Sequence, residues 1–357
     1  MKYILRMLPN RVRRNYQGGK GIDWLHGKKK ASDGDTPEEW VASTMLAINP
    51  GLPLIKNEGQ SKCDIDGKSE YLEELIKKQP ELYFGKEYVA QKGTDPGFLF
   101  KILDSSMRLH VQAHPTRQFA REKMNSPYGK LECYYILHVR DGVDPYIRLG
   151  FQHAPTKEEW KRIIETQDIT AMDHCFDKVP VHEGEVWYVP GGMPHAIGGG
   201  ILMLEIMEPS DLVVRCEFNR HGIIVPPEAR FMGRSLDFCL DIFDYHQYSV
   251  DDIRKRCNLN PVAEKIEANY NLVKIIDKDL TGSFKVSDLK IKNGNATLNI
   301  SKFLVGVVVE GKVTITHGDE SENFKRGDTF VIAATAESVK INSHDKPAEV
   351  TFVESKL

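Results

Sequence analysis

His110, Gln112 and His114 lie two residues apart in RLHVQAHP (108–115). On an extended backbone that spacing sends all three side chains to one face. Two neighbouring ligands on one face of a strand are what a metal site inside a barrel requires. Glu132 falls in the next run of strand formers, LECYYILHV (131–139). His195 stands in EGEVWYVPGGMPHAIGGG (183–200), where prolines and glycines turn the chain tightly. Gln112, His114, Glu132 and His195 together offer two imidazoles, one carboxylate and one amide oxygen. That mixture suits a borderline divalent ion such as zinc with room left for substrate, whereas a closed structural site would favour cysteines. One buried histidine alone is most often a hydrogen-bonded core residue; the convergence of four donors is what predicts a site. His138 shares the parity of Glu132 but lies roughly 20 Å further along the strand, out of reach of the same ion. His174, His182, His221, His317 and His344 have no partner at ligand spacing and read as surface or structural.

The elements that must hold these groups are mostly strands. GFLFKIL (97–103), EVWYV (185–189) and ILMLEIM (201–207) are rich in β-formers. One helix is expected after Thr116 and another over 155–167, where Thr156 and Glu159 have capping-box spacing. A third candidate is FMGRSLDFCLDIFDY (231–245). The first ninety residues mix turn-rich and helical text, with Leu72, Leu75 and Ile76 at helical spacing until Pro80 interrupts. Beyond 270 the chain is short strands and turns (NLVKII, SFKVSDLKI, FLVGVVVEGKVTIT, DTFVIAA, AEVTFVE), the text of a sandwich or barrel. The pattern predicts a mainly β protein: a barrel-based unit with inserted helices over 1–245, then a smaller all-β domain over 246–357.

Hydrophobic residues at 41% and charged residues at 28% are an ordinary globular balance. A net charge of −3 provides no basic field for nucleic acid. The runs RVRR (11–14) and KKK (28–30) read as solvated surface. Arg6 interrupts the N-terminus before a signal-peptide core can form, and the longest apolar run, FLVGVVV (303–309), is too short to span a bilayer. Six scattered cysteines without a C-x-x-C pair read as reduced thiols in a cytoplasmic protein.

Gly184, Pro190, Gly192 and His195 form a G-x5-P-x-G-x2-H string. It resembles the second signature of the cupin superfamily of jelly-roll barrels, in which the histidine is a metal ligand. The blocks FLFKILDSSMRLHVQAHP, YGKLECYYIL and EGEVWYVPGGMPHAIGGGILMLEIMEPSDLVVR are similar, in order and spacing, to those of the type I mannose-6-phosphate isomerase family. The resemblance covers about residues 10 to 245, and the C-terminal region looks like the family's second cupin. It implies two cupin barrels, one zinc per chain, and interconversion of mannose 6-phosphate and fructose 6-phosphate through a metal-stabilised cis-enediolate. The family's zinc ligands fall on Gln112, His114, Glu132 and His195, the set already reached from spacing. Its active-site lysines fall on Lys101 and Lys130, its glutamate on Glu205 and its arginine on Arg215.

Such an isomerisation needs a base that reaches both C1 and C2, and positive charge at the developing oxyanion. Glu205 is the candidate base; its structural alternative is an ion pair with Arg215. Arg215 and Lys130 are further catalytic candidates, and Lys101, Lys130, Arg215 and His110 candidates for holding substrate. KRGDTFVIAATAES (325–338) repeats the cupin frame, but Ala333, Thr335 and Ser338 stand at the proline, glycine and histidine positions, so the second barrel is expected to be a metal-free packing partner. Three departures bear on the sugar: His110 where the family carries serine, Tyr16-Gln17 in place of a tryptophan block, and CEFNR (216–220). An isomerase of the same fold for another aldose or aldose phosphate, a non-catalytic sugar-binding or regulatory cupin, and a metal-dependent dioxygenase are the competing readings. Retention of Lys101, Glu205 and Arg215 speaks for the isomerase. The expected partner is a small sugar phosphate, with no nucleic acid and no membrane.

Overall fold

The computed structural model describes residues 2–356. The strand Ile201–Met207 shows how the fold is built: all seven residues are buried, yet successive ones face different surroundings. Ile201 and Met203 join the interior of the first barrel, while Leu202, Leu204 and Ile206 join a cluster between the two barrels. A strand covered on both faces reads as a continuous apolar run, and period two still decides which side chain goes where. Glu205 therefore falls on the interior face. Its antiparallel neighbours obey the same rule: Leu99–Ser105 sends Lys101 inward and Phe100 and Ile102 outward, and Glu132–Val139 sends Glu132 and Tyr134 inward.

These strands belong to a seven-stranded sheet that faces a five-stranded one carrying Gln112–Ala113, His195–Ile197 and Val214–Arg215. The two sheets share the interior core of Leu103, Ile136, Leu149 and Ile197. That is the expected jelly-roll barrel. A nine-stranded and a four-stranded sheet form the second barrel, around Leu289, Leu304, Val313, Phe330 and Ile341. Residues 327–338 keep the strand–turn–strand frame, with Ser338 opening the strand Ser338–Asn342.

Helix Arg117–Met124 begins as expected at Thr116, whose hydroxyl accepts from the Phe119 amide at 3.1 Å. Thr156 and Glu159 form the full capping box of Lys157–Thr166. Pro80 ends one helix and starts another, Pro80–Phe84. The candidate helix over 231–245 contracts to Leu236–Leu240, because Met232 and Gly233 take positive φ and turn the chain just before Ser235 caps it.

Sheet pairings cross the boundary drawn at 245/246. Ile4–Met7 pairs with Thr329–Ile332, and Lys62–Ile65 with Lys68–Tyr71 extends the same sheet. In the other direction Asn258–Leu259 pairs with Val186–Val189 of the first barrel. The N-terminal strands were not legible because each is short and its partner is distant in sequence. All six cysteines are buried and free. Among the described residues no helix is long and apolar enough to cross a membrane.

Candidate active site and metal centre

His114, Glu132 and His195 converge inside the first barrel, their ligand atoms all within 4.8 Å of one another. His114 Nε2 lies 3.1 Å from Glu132 Oε1, and His195 Nε2 lies 3.4 Å from Glu132 Oε2. The fourth expected donor pairs with His195 in the strand register, and its side-chain amide is 3.3 Å from His195 Nε2. Rotation of the Gln112 amide exchanges its nitrogen and oxygen, so the oxygen can face the same point.

The second partners of both imidazoles test whether this set fits a metal ion. His114 Nδ1 sits 2.8 Å from the Leu212 carbonyl and His195 Nδ1 3.0 Å from the Met193 carbonyl. A carbonyl can only accept, so each Nδ1 carries a proton and each Nε2 is the nitrogen turned toward the cluster. Burial, with the Lys130 ammonium nearby, pushes His114 down to about 3, keeping it neutral near pH 7. Burial works against the charge on Glu132, yet the Lys130 ammonium beside it holds its carboxyl well below the usual range. Tyr134 donates its hydroxyl to Glu132 Oε2 at 2.6 Å. Two imidazoles held at Nδ1 by carbonyls, one carboxylate and a nearby amide oxygen match a divalent ion of zinc's kind.

Backbone contacts lock the three ligand-bearing segments together. The Gly192 amide donates to the His114 carbonyl at 2.6 Å, and the Lys130 amide to the Pro115 carbonyl at 3.1 Å. A Cβ on Gly129 would lie 2.5 Å from Pro115 O, and one on Gly191 2.7 Å from the same atom. Only glycine allows that approach. The proline–glycine bend before His195 is therefore also the surface against which the His114 segment packs.

Next to the cluster lies a polar cleft. Lys101, His110, Gln112, Lys130, Glu132, Glu205 and Arg215 all line it, so the structure brings every sequence-predicted site residue to the cleft or the adjoining metal cluster. Their partners differ from the expected ones in one respect. Glu205 pairs with Lys101, its direct cross-strand neighbour, at 2.8 Å, and not with Arg215. That contact lacks hydrogen-bond alignment and leaves Glu205 Oε2 without a hydrogen-bond partner. Burial raises the Glu205 pKa; Lys101 opposes the shift and Glu132 adds to it. Arg215 Nη1 donates to the Ala229 carbonyl at 2.7 Å, and burial lowers its pKa to about 10, so it stays charged at neutrality. His110 stays outside the metal cluster, its Nε2 3.3 Å from the Ile223 carbonyl, and so acts as a cleft wall and not as an extra ligand.

Lys130 Nζ sits 2.9 Å from His114 Nε2 and contacts Glu132 Oε1, closer to the metal ligands than a purely substrate-binding lysine would be.

Several cleft residues escaped the sequence reading. Arg14, from the run read as solvated, is buried and bonds Glu38 at 2.9 Å. Tyr16 and Trp40 donate to the same carboxylate, each at 2.7 Å, and Asp211 lies 3.7 Å from Arg14. The parity of Glu38 and Trp40 in EEWV was the one available signal. Glu217, in the departing CEFNR segment, is buried against Arg108 and Arg220, and its Oε2 accepts from the Val111 amide beside His110 at 3.3 Å. The lining balances Arg14, Lys101, Lys130 and Arg215 against Glu38, Glu132, Glu205 and Asp211.

A family model described as the mannose-6-phosphate isomerase cupin domain matches residues 280–351. A mannose-6-phosphate isomerase of Streptococcus mutans is 30% identical over 304 residues, 85% of this chain and 84% of that protein. The Bacillus subtilis protein named "Probable mannose-6-phosphate isomerase GmuF" is 36% identical over 300 residues, 84% of each chain. Among solved structures, the mannose 6-phosphate isomerase of Bacillus subtilis superposes with a TM-score of 0.74 at 21% identity, covering 99% of this chain and 100% of that one. A zinc-bound mannose 6-phosphate isomerase superposes with a TM-score of 0.71 at 16% identity, covering all of both chains.

Proposed function

The chain belongs to the mannose-6-phosphate isomerase family, and from that premise we propose that it is a zinc-dependent isomerase interconverting mannose 6-phosphate and fructose 6-phosphate. The observation that carries the reading is the buried His114–Glu132–His195 cluster, both imidazoles oriented by carbonyls, beside a buried carboxylate–lysine pair. Gln112, His114, Glu132 and His195 would hold the zinc, which when bound supplies a Lewis acid for the sugar carbonyl.

The chain's own residues supply the rest. Glu205 takes the proton from one of C1 and C2 and returns it to the other; its burial-raised pKa, opposed by the ion pair with Lys101, suits a base that must also release the proton. Lys101 keeps that carboxylate from permanent protonation, and is itself held by Glu38 at 3.5 Å. Lys130 donates toward the developing oxyanion. Arg215 lines both the inner cleft and the outer one that opens beyond it. A guanidinium there suits bidentate capture of the phosphate while the sugar carbons reach inward. The lining carries four cations and four carboxylates, so a divalent metal adds two charges that a phosphate dianion offsets.

A coupled assay on mannose 6-phosphate, run on purified protein with and without a strong chelator and then with zinc restored, tests the reading. Activity lost to the chelator and recovered with zinc is the expected result. Full turnover after the metal has been stripped would overturn the zinc assignment, and turnover of free mannose alone would overturn the substrate.

A further inference from the structure

Glu208, directly after the strand that carries Glu205, is 1% exposed and touches neither the cleft nor the metal cluster. Its carboxylate is nonetheless fully used. Oε2 accepts the Leu131 amide at 3.1 Å, and the Glu208 amide returns a bond to the Leu131 carbonyl at 3.1 Å. Leu131 stands between Lys130 and Glu132, so this double clamp sets the direction in which both neighbouring side chains leave the backbone. The other oxygen, Oε1, accepts from Arg117 Nε. Arg117 opens the helix that follows His114. Its Nη2 reaches the second barrel, donating to the Thr281 carbonyl at 3.0 Å and to Ser283 Oγ at 2.6 Å. Gly282, between those two residues, has φ +70°, and a Cβ there would lie 2.5 Å from Arg117 Nη1. The glycine is thus a matched seat for the guanidinium, built into the second barrel.

We infer that Arg117 and Glu208 are positioning residues through which the docked second barrel holds Lys130 and Glu132 in register with His114. This gives the C-terminal barrel a part in the reaction beyond packing. A charge-assisted chain, 281–283 to Arg117 to Glu208 to Leu131, is stiffer than apolar packing because each link has a fixed direction. Loss of the guanidinium leaves Glu208 buried without its counter-charge and frees the 130–132 backbone to shift. The inference rests on the ligand set proposed above.

The test uses the full-length zinc enzyme and four variants. Arg117→Met keeps the stem and removes the charge; Arg117→Lys restores the charge; Gly282→Ala displaces the guanidinium from outside the site; Glu132→Ala is the ligand control. Zinc affinity by chelator competition, kcat, KM and Tm are read for each. Arg117→Met and Gly282→Ala are expected to weaken zinc binding about tenfold, the lower range for groups that support metal ligands. They should lower kcat more than they change KM, and Arg117→Lys should recover part of both losses. A brace that only stabilises would lower Tm and leave zinc affinity and kcat of the folded enzyme at wild-type values, which overturns the inference. Should Glu132→Ala keep zinc, the ligand set itself fails. Should Glu132→Ala lose zinc while Arg117→Met binds it normally, the inference alone fails.

Discussion

Glu205 stands in an arrangement that resists full ionisation without forbidding it. Burial raises its pKa, Glu132 pushes the same way, and Lys101 at 2.8 Å pulls it back. These opposed influences leave its pKa above the ordinary glutamate value, unlike Glu132, which the Lys130 ammonium holds in the charged form. Glu205→Gln keeps the shape and removes the basicity. It is expected to lower kcat by about 10²–10⁴, the usual contribution of a positioned acid–base group, with zinc content by metal analysis unchanged. Loss of the zinc instead would make Glu205 a structural carboxylate. The sign of the pH effect follows from its role. A base must be ionised, so kcat/KM should fall as pH drops through its raised pKa, with the acid limb above the ordinary glutamate value of about 4.3. An acid limb at or below that value would sink the assignment.

Strand pairing creates a second unusual carboxylate, outside the cleft lining. Phe284–Ile291 and Ala348–Ser355 pair along their whole length, setting Asp288 opposite Thr351 and beside Glu349. Thr351 donates to Asp288 Oδ1 at 2.9 Å, while Glu349 accepts from Tyr135 of the first barrel at 3.0 Å. Burial, with Glu349 adding to it, raises Asp288 to about 7. Its folded value exceeds its unfolded value of about 3.9, so its stabilising effect is complete below that pH and is lost as pH rises through about 7. Asp288→Asn, neutral throughout, should therefore gain stability relative to wild type as pH rises from about 4 to about 8. Thermal melts across that range provide the check, and a pH-independent offset between the two proteins would refute it.

The two barrels are joined by more than a shared surface. Ile4 and Leu5, adjacent in one short strand and both fully buried, face opposite ways: Ile4 into the core of the second barrel, Leu5 into the cluster between barrels with Val305, Val331 and Phe100. We propose that the C-terminal unit begins at the strand Val262–Ile266 and takes in the strands Ile4–Met7, Lys62–Ile65 and Lys68–Tyr71, so that an N-terminal segment completes a C-terminal sheet while residues 246–259 stay with the first barrel. Leu5→Ala removes packing from both sides of that junction and should cost roughly 2–5 kcal/mol. Urea unfolding followed by zinc release and by far-UV circular dichroism should show one transition moving to lower denaturant. Two transitions, only one of them shifted, would mean that the strand does not couple the barrels.

What the sequence determined by itself was chemistry and parity. The donor types, the two-residue spacing of Gln112 and His114, the glycine–proline bend before His195 and the caps at Thr116 and Thr156 are local. A local rule of period or capping needs no knowledge of distant chain. The same parity places Lys101 and Glu205 on one face, yet their pairing depends on the antiparallel register that sets them opposite each other. The tertiary structure alone decided that Glu205 answers to Lys101 and not Arg215, and that Arg14, from a run that looks solvated, belongs in the cleft. It alone brought Glu38 and Asp211 to that arginine and seated Arg117 on Gly282 of the other barrel. The physical reason is common to all of these. A buried charge is tolerated only where a counter-charge meets it, and which counter-charge that is depends on sheet register and barrel docking, which no local segment encodes.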